Sequence, residues 1–337
     1  MNSLIDKIIN KTQRIARATL YKSNIDSLLY SKNGNNKLIM LYHGVDTINC
    51  TKYNIRFISR TDFASQIKYF KKKFTIVPVS EIFSIEKENN NKKYLALTFD
   101  DGYKNNFKYA FPILEKEKVP ATFYSTSIIE NGRKTLWPDA IDIYSYYLDY
   151  FDYEGFHFKK NIANNKLFNT ETNSYLIEFA KKQSFDVRLK IIESMKSITG
   201  IDIESNNEFD DYRALMNEDE LRQVANSNYV KIGSHAQFHN NLGDINIEVA
   251  KKELLSSKLF LERVTGKVID EIAYPDGSYS RELINEAEKI GYKYQLACNY
   301  LFDEDVADKR ITDRHQTYSD RSVIEQLHEL NLKFLKK

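Results

Sequence analysis

Short apolar runs alternate along this chain with stretches of helical periodicity, and several of the runs end on a carboxylate or an imidazole. Such alternation is the signature of βαβ units around a parallel sheet, because parallel neighbours need a crossover and a helix supplies it. Strand patterns fall at 37–42, 74–79, 94–97, 121–125, 229–232, 271–274 and 294–297. Helical patterns run from Thr61-Asp62 through Lys73, around 80–85, and over 105–118, 217–226, 248–265 and 280–290. The rhythm breaks at about Ile128 and resumes near Asn217. That interval is mostly helical in pattern, with a hairpin expected over 151–160 around Glu154-Gly155, and reads as an insertion over one end of the core. The expected division is an amphipathic helical segment over 1–36, a barrel over 37–320 holding an insertion at about 128–216, and a closing helix over 321–337.

The polar groups gather at one kind of place. His43, the pair Asp100-Asp101, His235 and Asp276 each follow closely on a strand pattern. In a parallel α/β barrel the strand ends converge on one rim, where sites are built. Adjacent carboxylates at the end of a core strand repel unless a cation or a proton holds them. His235 and His239 are spaced i,i+4, so one helical turn would put both rings on one face. Two histidines and one carboxylate, Asp101, form a set suited to catalytic Zn²⁺, and on ligand type also to Fe²⁺; Co²⁺, Mn²⁺ and Ni²⁺ remain open. Asp100 would then stay ionised beside the metal and serve as a base.

Composition narrows the classes. With 49 Lys and Arg against 47 Asp and Glu, the formal charge of +2 gives no reason to expect a nucleic-acid partner. Two cysteines, Cys50 and Cys298, make no disulfide framework. No apolar run approaches the roughly 18 residues of a spanning helix, and the start of the chain lacks a signal-peptide pattern, so a cytoplasmic location is expected. In residues 1–22, Leu4, Ile8, Ile9, Ile15 and Leu20 share a helical face opposite Lys7, Lys11, Arg14, Arg17 and Lys22. That pattern fits either a helix packed on the domain or a peripheral contact with an anionic inner membrane face.

Three segments in order, Thr98-Phe99-Asp100-Asp101-Gly102, Ser234-His235-Ala236-Gln237-Phe238-His239 and Ala273-Tyr274-Pro275-Asp276-Gly277, give the chain a further reading. It resembles the polysaccharide deacetylases of the NodB-homology type, carbohydrate esterase family 4. The surroundings, Leu41-Tyr42-His43-Gly44 and Pro120-Ala121-Thr122-Phe123, fit as well. The resemblance implies an α/β fold, a distorted, TIM-like (β/α) barrel, and a metal-dependent hydrolase that removes N- or O-acetyl groups from a glycan. By position, Asp100 becomes the catalytic base, and Asp101, His235 and His239 the metal ligands. The backbone N–H of Asp276 becomes the oxyanion donor, and Tyr274 and Pro275 border the substrate.

The sequence departs from the family pattern in places. An arginine that usually braces the base is replaced by Ala273, leaving Arg310 or Arg314 to stand in for it. The aromatic usually found after the third motif's proline is Asp276. The usual late histidine, a general acid, has His315 as its candidate. His43 reads as a supporting residue behind the ligands, and Trp137 as a sugar platform or a packed core residue. The expected substrate is an N-acetylhexosamine unit of a surface polysaccharide or of a lipid-linked precursor. The rival readings are a non-sugar amide hydrolase on the same barrel and a catalytically silent glycan-binding barrel.

Overall fold

The computed structural model describes residues 36–47, 53–85 and 92–316. The expected helices over 1–22 and 322–337 lie outside them. Nine strands form one sheet in which every pairing is parallel: β1 Lys37–Tyr42, β2 Thr75–Ile76, β3 Tyr94–Phe99, β4 Ala121–Ser125, β5 Val230–Ser234, β6 Glu271–Ala273, β7 Tyr294–Leu296, β8 Ile311–Thr312 and β9 His315–Gln316. The order across the sheet is β8-β7-β6-β5-β4-β3-β1-β9, with β2 alongside the start of β3. The two edges, β8 and β9, are joined by Asp313 and Arg314 alone. A link that short spans at most about 11 Å. The edges therefore lie side by side, and the sheet curls into a distorted barrel with Arg314 at its seam.

Side chains alternate between the two faces of this sheet, as the strand period requires. Met40, Tyr42, Leu97, Phe99, Phe123, Ile232 and Ile272 pack outward in the main hydrophobic core with the helices. Ile39, Ala96, Tyr124, Ala273 and Leu296 form a smaller core on the opposite, inner face. Tyr124 occupies the barrel interior because Gly233 yields room: a Cβ there would sit 2.4 Å from the tyrosine ring.

The helices begin and end where their caps dictate. Ser59 accepts from the Asp62 N–H at 3.1 Å to start helix Arg60–Lys73, which lays Phe63, Ile67 and Phe70 on the sheet. Asn217 and Glu220 form a reciprocal capping box on Glu218–Ala225. Gly266 and Gly291 close Ile247–Thr265 and Arg281–Ile290 in the left-handed conformation.

Residues 128–213 hold a second hydrophobic core. Helices Trp137–Tyr147 and Phe185–Thr199 pack together there against a four-stranded antiparallel sheet made of Tyr150–Tyr153, Phe156–Asn161, Lys166–Asn169 and Ser174–Tyr175. The first hairpin turns at Glu154 and Gly155, both with positive φ. Tyr53 joins this second core, so the loop 53–57 leans on the insertion.

Candidate active site

The strand register lines up the C-terminal ends. Tyr42 pairs with Phe99 and Phe99 with Phe123, while Ser125 pairs with Ser234 and Ser234 with Ile272. Each residue that follows an outward-facing end turns inward, which delivers His43, Asp100 and His235 to one rim. Asp101 then adopts φ 74°, and Gly102 follows at φ 79°. Only glycine fits at 102, because a Cβ would approach Ser125 Oγ to 2.4 Å.

Asp101, His235 and His239 offer three ligand atoms that all lie within 4.8 Å of one another, and all three residues are buried. Asp101 Oδ1 stands 3.2 Å from His235 Nε2 and 3.1 Å from His239 Nε2. Neither Asp101 oxygen meets hydrogen-bond geometry with a protein donor, and His239 Nδ1 is equally bare. Buried carboxylate oxygens left in this state are costly, and a divalent cation held by Asp101 and the two histidines would satisfy them. His235 Nδ1 lies 2.7 Å from the Ala273 carbonyl, which fixes the tautomer and leaves Nε2 as the ligand atom. Burial alone would raise the Asp101 carboxyl, but the two imidazoles and Arg56 outweigh it and hold the group well below its usual range. The donor set fits a catalytic divalent cation.

The histidines do not meet through a helical turn. Residues 235–239 form no helix, and Ala236 (φ 59°) and His239 (φ 55°) are both left-handed. Strain of that kind costs roughly 1–3 kcal/mol per residue and persists where surrounding contacts impose it. Trp137 is one such contact: its indole N–H donates to the His239 carbonyl at 3.0 Å, and the Arg188 guanidinium covers the ring at 4.3 Å. Arg188 also donates to Asn240, which donates to Glu253, and Glu253 accepts from the Phe238 N–H. Trp137 is 1% exposed, so it braces His239 from behind and is not a sugar platform.

Asp100 is fully engaged by Arg314, whose two terminal nitrogens each donate to one carboxylate oxygen at 2.7 Å. Burial would raise this carboxyl, but Arg314 outweighs that and lowers it. Arg314 also reaches Thr98 Oγ1 and the Ala297 carbonyl. Arg310 is elsewhere. It forks onto Asp308 and reaches Asn285 and Glu288 on the outer surface.

Parity along the strands decides three further positions. His315 pairs with Met40, an outward-facing residue, so it points to the helix layer while its neighbour Arg314 points inward. The structure therefore does not bring His315 to Asp100. Tyr274 follows inward-facing Ala273 and turns outward; it is fully buried, with its hydroxyl on Gln295 at 2.5 Å, and is out of reach of a substrate. Pro275, also buried, starts the tight turn that carries Asp276 at φ 53°.

The imidazole that does face the pair is His43. It is buried, with Nδ1 unpartnered, and its carbonyl accepts from Asn106 at 2.6 Å. Burial, helped by Arg56 and opposed by Asp101 and Asp100, lowers it to about 3. Asn106 opens a π-helical turn, Asn106–Ala110, a geometry often found at functional sites.

Three residues with no strand-end signal complete the rim. Arg56 Nη2 lies 3.8 Å from Asp101 Oδ2 and 3.9 Å from Asp139 Oδ1. Asp139 accepts from Tyr103 OH at 2.8 Å, and burial raises its carboxyl to about 7. Lys181 pairs with Asp276 at 3.0 Å. Asp139 and Lys181 both come from the insertion, and no sequence pattern discloses which of its residues reach the rim.

A profile of the polysaccharide deacetylase family matches residues 87–142 and 197–295. These segments hold Asp100 and all three candidate ligand residues, Asp101, His235 and His239. Over these segments, a little under half of its length, the chain is similar to the polysaccharide deacetylases. The polysaccharide deacetylase homologue YxkH of Bacillus subtilis (strain 168) is 23% identical over 128 residues, covering 35% of this chain and 44% of that protein. The chain thus matches less than half the length of that relative. The deacetylase PplD of Streptococcus pyogenes, solved in complex with acetate, superposes with a TM-score of 0.56 at 16% identity, over 90% of this chain and 100% of that one. IcaB from Ammonifex degensii gives 0.55 at 15% identity, over 88% and 97%. At such identities these likenesses establish the barrel and nothing finer.

Proposed function

We propose that this protein hydrolyses the acetamido group of an N-acetylhexosamine unit, in a surface polysaccharide or a lipid-linked precursor of one. The observation that carries this reading is the pairing of two sets at one rim: Asp101, with both oxygens bare, converges with His235 and His239, and Asp100 stands next to Asp101 in the chain, held by Arg314.

Asp101, His235 and His239 would hold a divalent cation, on this ligand set Zn²⁺, which would supply an acidified water and a charge that polarises the acetyl carbonyl. The chain's own residues do the rest. Asp100, ionised and oriented by Arg314, takes the proton from the attacking water and is placed to return it to the departing amine nitrogen. The backbone N–H of Asp276 donates to the oxygen on which charge develops, a kind of contact worth roughly 3–4 kcal/mol. His43, kept neutral by burial, adds an uncharged imidazole beside Asp100. An acceptor made at the inner membrane face would suit the basic pattern of residues 1–22, and a cytoplasmic or peripheral location is part of the same proposal. Among the described residues no helix is long and apolar enough to cross a membrane.

The test is acetate release from a panel of acetylated sugars with added Zn²⁺, beside Asp100→Asn. Release by the parent and a loss of two or more orders of magnitude in the variant are expected. Equal release from both would remove Asp100 as the base, and no release from any sugar would remove the glycan reading.

A further inference from the structure

Arg56 is the rim cation whose terminal nitrogens the protein leaves without a hydrogen bond, although Asp101, Asp139 and Asp276 all act on its charge. Arg314 is absorbed by Asp100 through two hydrogen bonds, and Lys181 by Asp276 at 3.0 Å. Arg56 instead stands 3.8 and 3.9 Å from its two carboxylates, beyond hydrogen-bond reach. Its Nε and backbone N–H both donate to Asn54 Oδ1, at 3.1 and 3.0 Å, which pins the side chain from behind. Asn54 is itself tied to Asp139 at 3.4 Å. The side chain is 26% exposed, and no terminal nitrogen of Arg56 appears among the buried unpartnered atoms, so the fork opens to solvent beside the triad.

A bound metal would reverse the charge balance around Arg56. Asp101 turns Oδ1 to the two histidines and Oδ2 toward Arg56. A divalent cation on the Oδ1 side would draw on the same negative charge that now attracts Arg56. Arg56, Arg314, Lys181 and the cation then outweigh Asp100, Asp101, Asp139 and Asp276. A planar guanidinium with free N–H groups next to such a centre matches the bidentate geometry of a carboxylate or a phosphate.

We propose that Arg56 is a substrate-binding residue that takes an anionic group, carboxylate or phosphate, carried by the glycan close to its acetylated nitrogen. This rests on the glycan deacetylase reading above and adds to it the charge of the substrate. Asn54 and Arg56 sit on the loop that Tyr53 anchors to the insertion, and Asp139 belongs to the insertion itself.

The test measures binding apart from turnover. Zn²⁺-loaded full chain is titrated calorimetrically with three probes: the neutral N-acetylglucosamine tetramer, a hyaluronan tetrasaccharide as the carboxylate arm, and the neutral tetramer bearing a phosphate monoester as the phosphate arm. Tighter binding of one charged probe than of the neutral one, by about tenfold or more, is expected. Arg56→Gln should erase that preference and Arg56→Lys should keep part of it, with Zn²⁺ content and thermal unfolding checking that each variant is folded. The charged arm that gains affinity identifies the source of the anion. Equal affinity for charged and neutral probes, no binding of any probe, or a preference that survives in Arg56→Gln would overturn the assignment. Acetate release on the same probes is scored separately. An Arg56-dependent preference without acetate release would leave the anion site standing while the deacetylase reading fell.

Discussion

Arg314 grips Asp100 with both arms of its guanidinium, at 2.7 Å each, from the two-residue link that joins the edges of the barrel. The side chains are 0% and 4% exposed, so the pair is shielded from solvent screening. It stands where Ala273 leaves the family's usual brace missing. Breaking a buried pair from one side costs more than the pair is worth, because the surviving charge stays buried. Arg314→Gln is therefore expected to lose about 3–5 kcal/mol at neutral pH. The sign with pH follows from the carboxyl. Held low in the parent, it contributes stability above the ordinary carboxylate range, and this is lost as pH falls through its folded value. In the variant burial dominates, so the deficit should be largest at pH 7 and shrink at pH 3 as Asp100 protonates. Denaturant unfolding at the two pH values measures it, and a deficit independent of pH would contradict the assignment.

The two histidines near the seam should separate cleanly. His43 faces the acidic pair, whereas His315 faces the helix layer opposite Met40. His43→Ala is expected to lower kcat by about 10²-fold or more, the lower end of what a positioned imidazole contributes. His315→Ala should leave kcat within about twofold while altering stability, since surface-distant packing changes act on folding. Steady-state acetate release on both variants decides, and the reverse ranking would restore His315 as the proton donor.

Trp137 offers a test of bracing against sugar binding. Trp137→Phe removes the donor to the His239 carbonyl at 3.0 Å and keeps an aromatic ring there, at the loss of part of the indole's buried volume. Leaving that buried acceptor unpaired costs about 1–3 kcal/mol. Zn²⁺ affinity should fall together with stability, while KM for the glycan stays near the parent value. Zn²⁺ titration followed by thermal unfolding reads both. A raised KM with unchanged metal affinity would mark Trp137 as a platform after all. In the parent, Zn²⁺ at a hundred times its Kd should stabilise the fold by about 2.7 kcal/mol, and a chelator should reverse this.

What was legible in the sequence were the strand ends. An apolar run of period two closed by a polar residue fixes both the strand and the face on which the next side chain emerges, and that sufficed to gather Asp100, Asp101 and His235. The i,i+4 spacing found His239 for the wrong reason, because a loop with left-handed Ala236 and His239 closes the gap that a helical turn was expected to close. The resemblance put Tyr274 and His315 at the site, and strand parity turns both away from it. Where β6 ends and where the seam begins decide their faces, and both depend on pairing with distant strands. Arg56, Asp139 and Lys181 were out of reach, because their nearness to the triad is set by how the insertion packs, which no local period records.

Glu271 tests the barrel interior itself. It is 3% exposed, accepts from Thr122 Oγ1 at 3.0 Å and Tyr124 OH at 2.9 Å, and leaves Oε1 without a hydrogen bond. Its nearest cation, Lys231 at 4.0 Å, is largely in solvent. Burial raises this carboxyl above its ordinary value, against the pull of Tyr124 and Lys231. A buried acid with a raised folded value is least costly when protonated, so its contribution worsens as pH rises from the ordinary carboxylate range through the folded value. Glu271→Gln retains an oxygen for Thr122 and Tyr124 and removes the charge. The variant should melt above the parent at pH 8 and together with it near pH 4. Because Tyr124 also lies beneath the Arg314 guanidinium, 5.9 Å from ring to cation, the substitution must keep that ring in place for Asp100 to stay oriented. Acetate release unchanged from the parent is thus the second expected outcome. A melting gap that does not vary with pH would show that the carboxyl is not the source of the strain, and lost activity would show that the Gln side chain has let the tyrosine move.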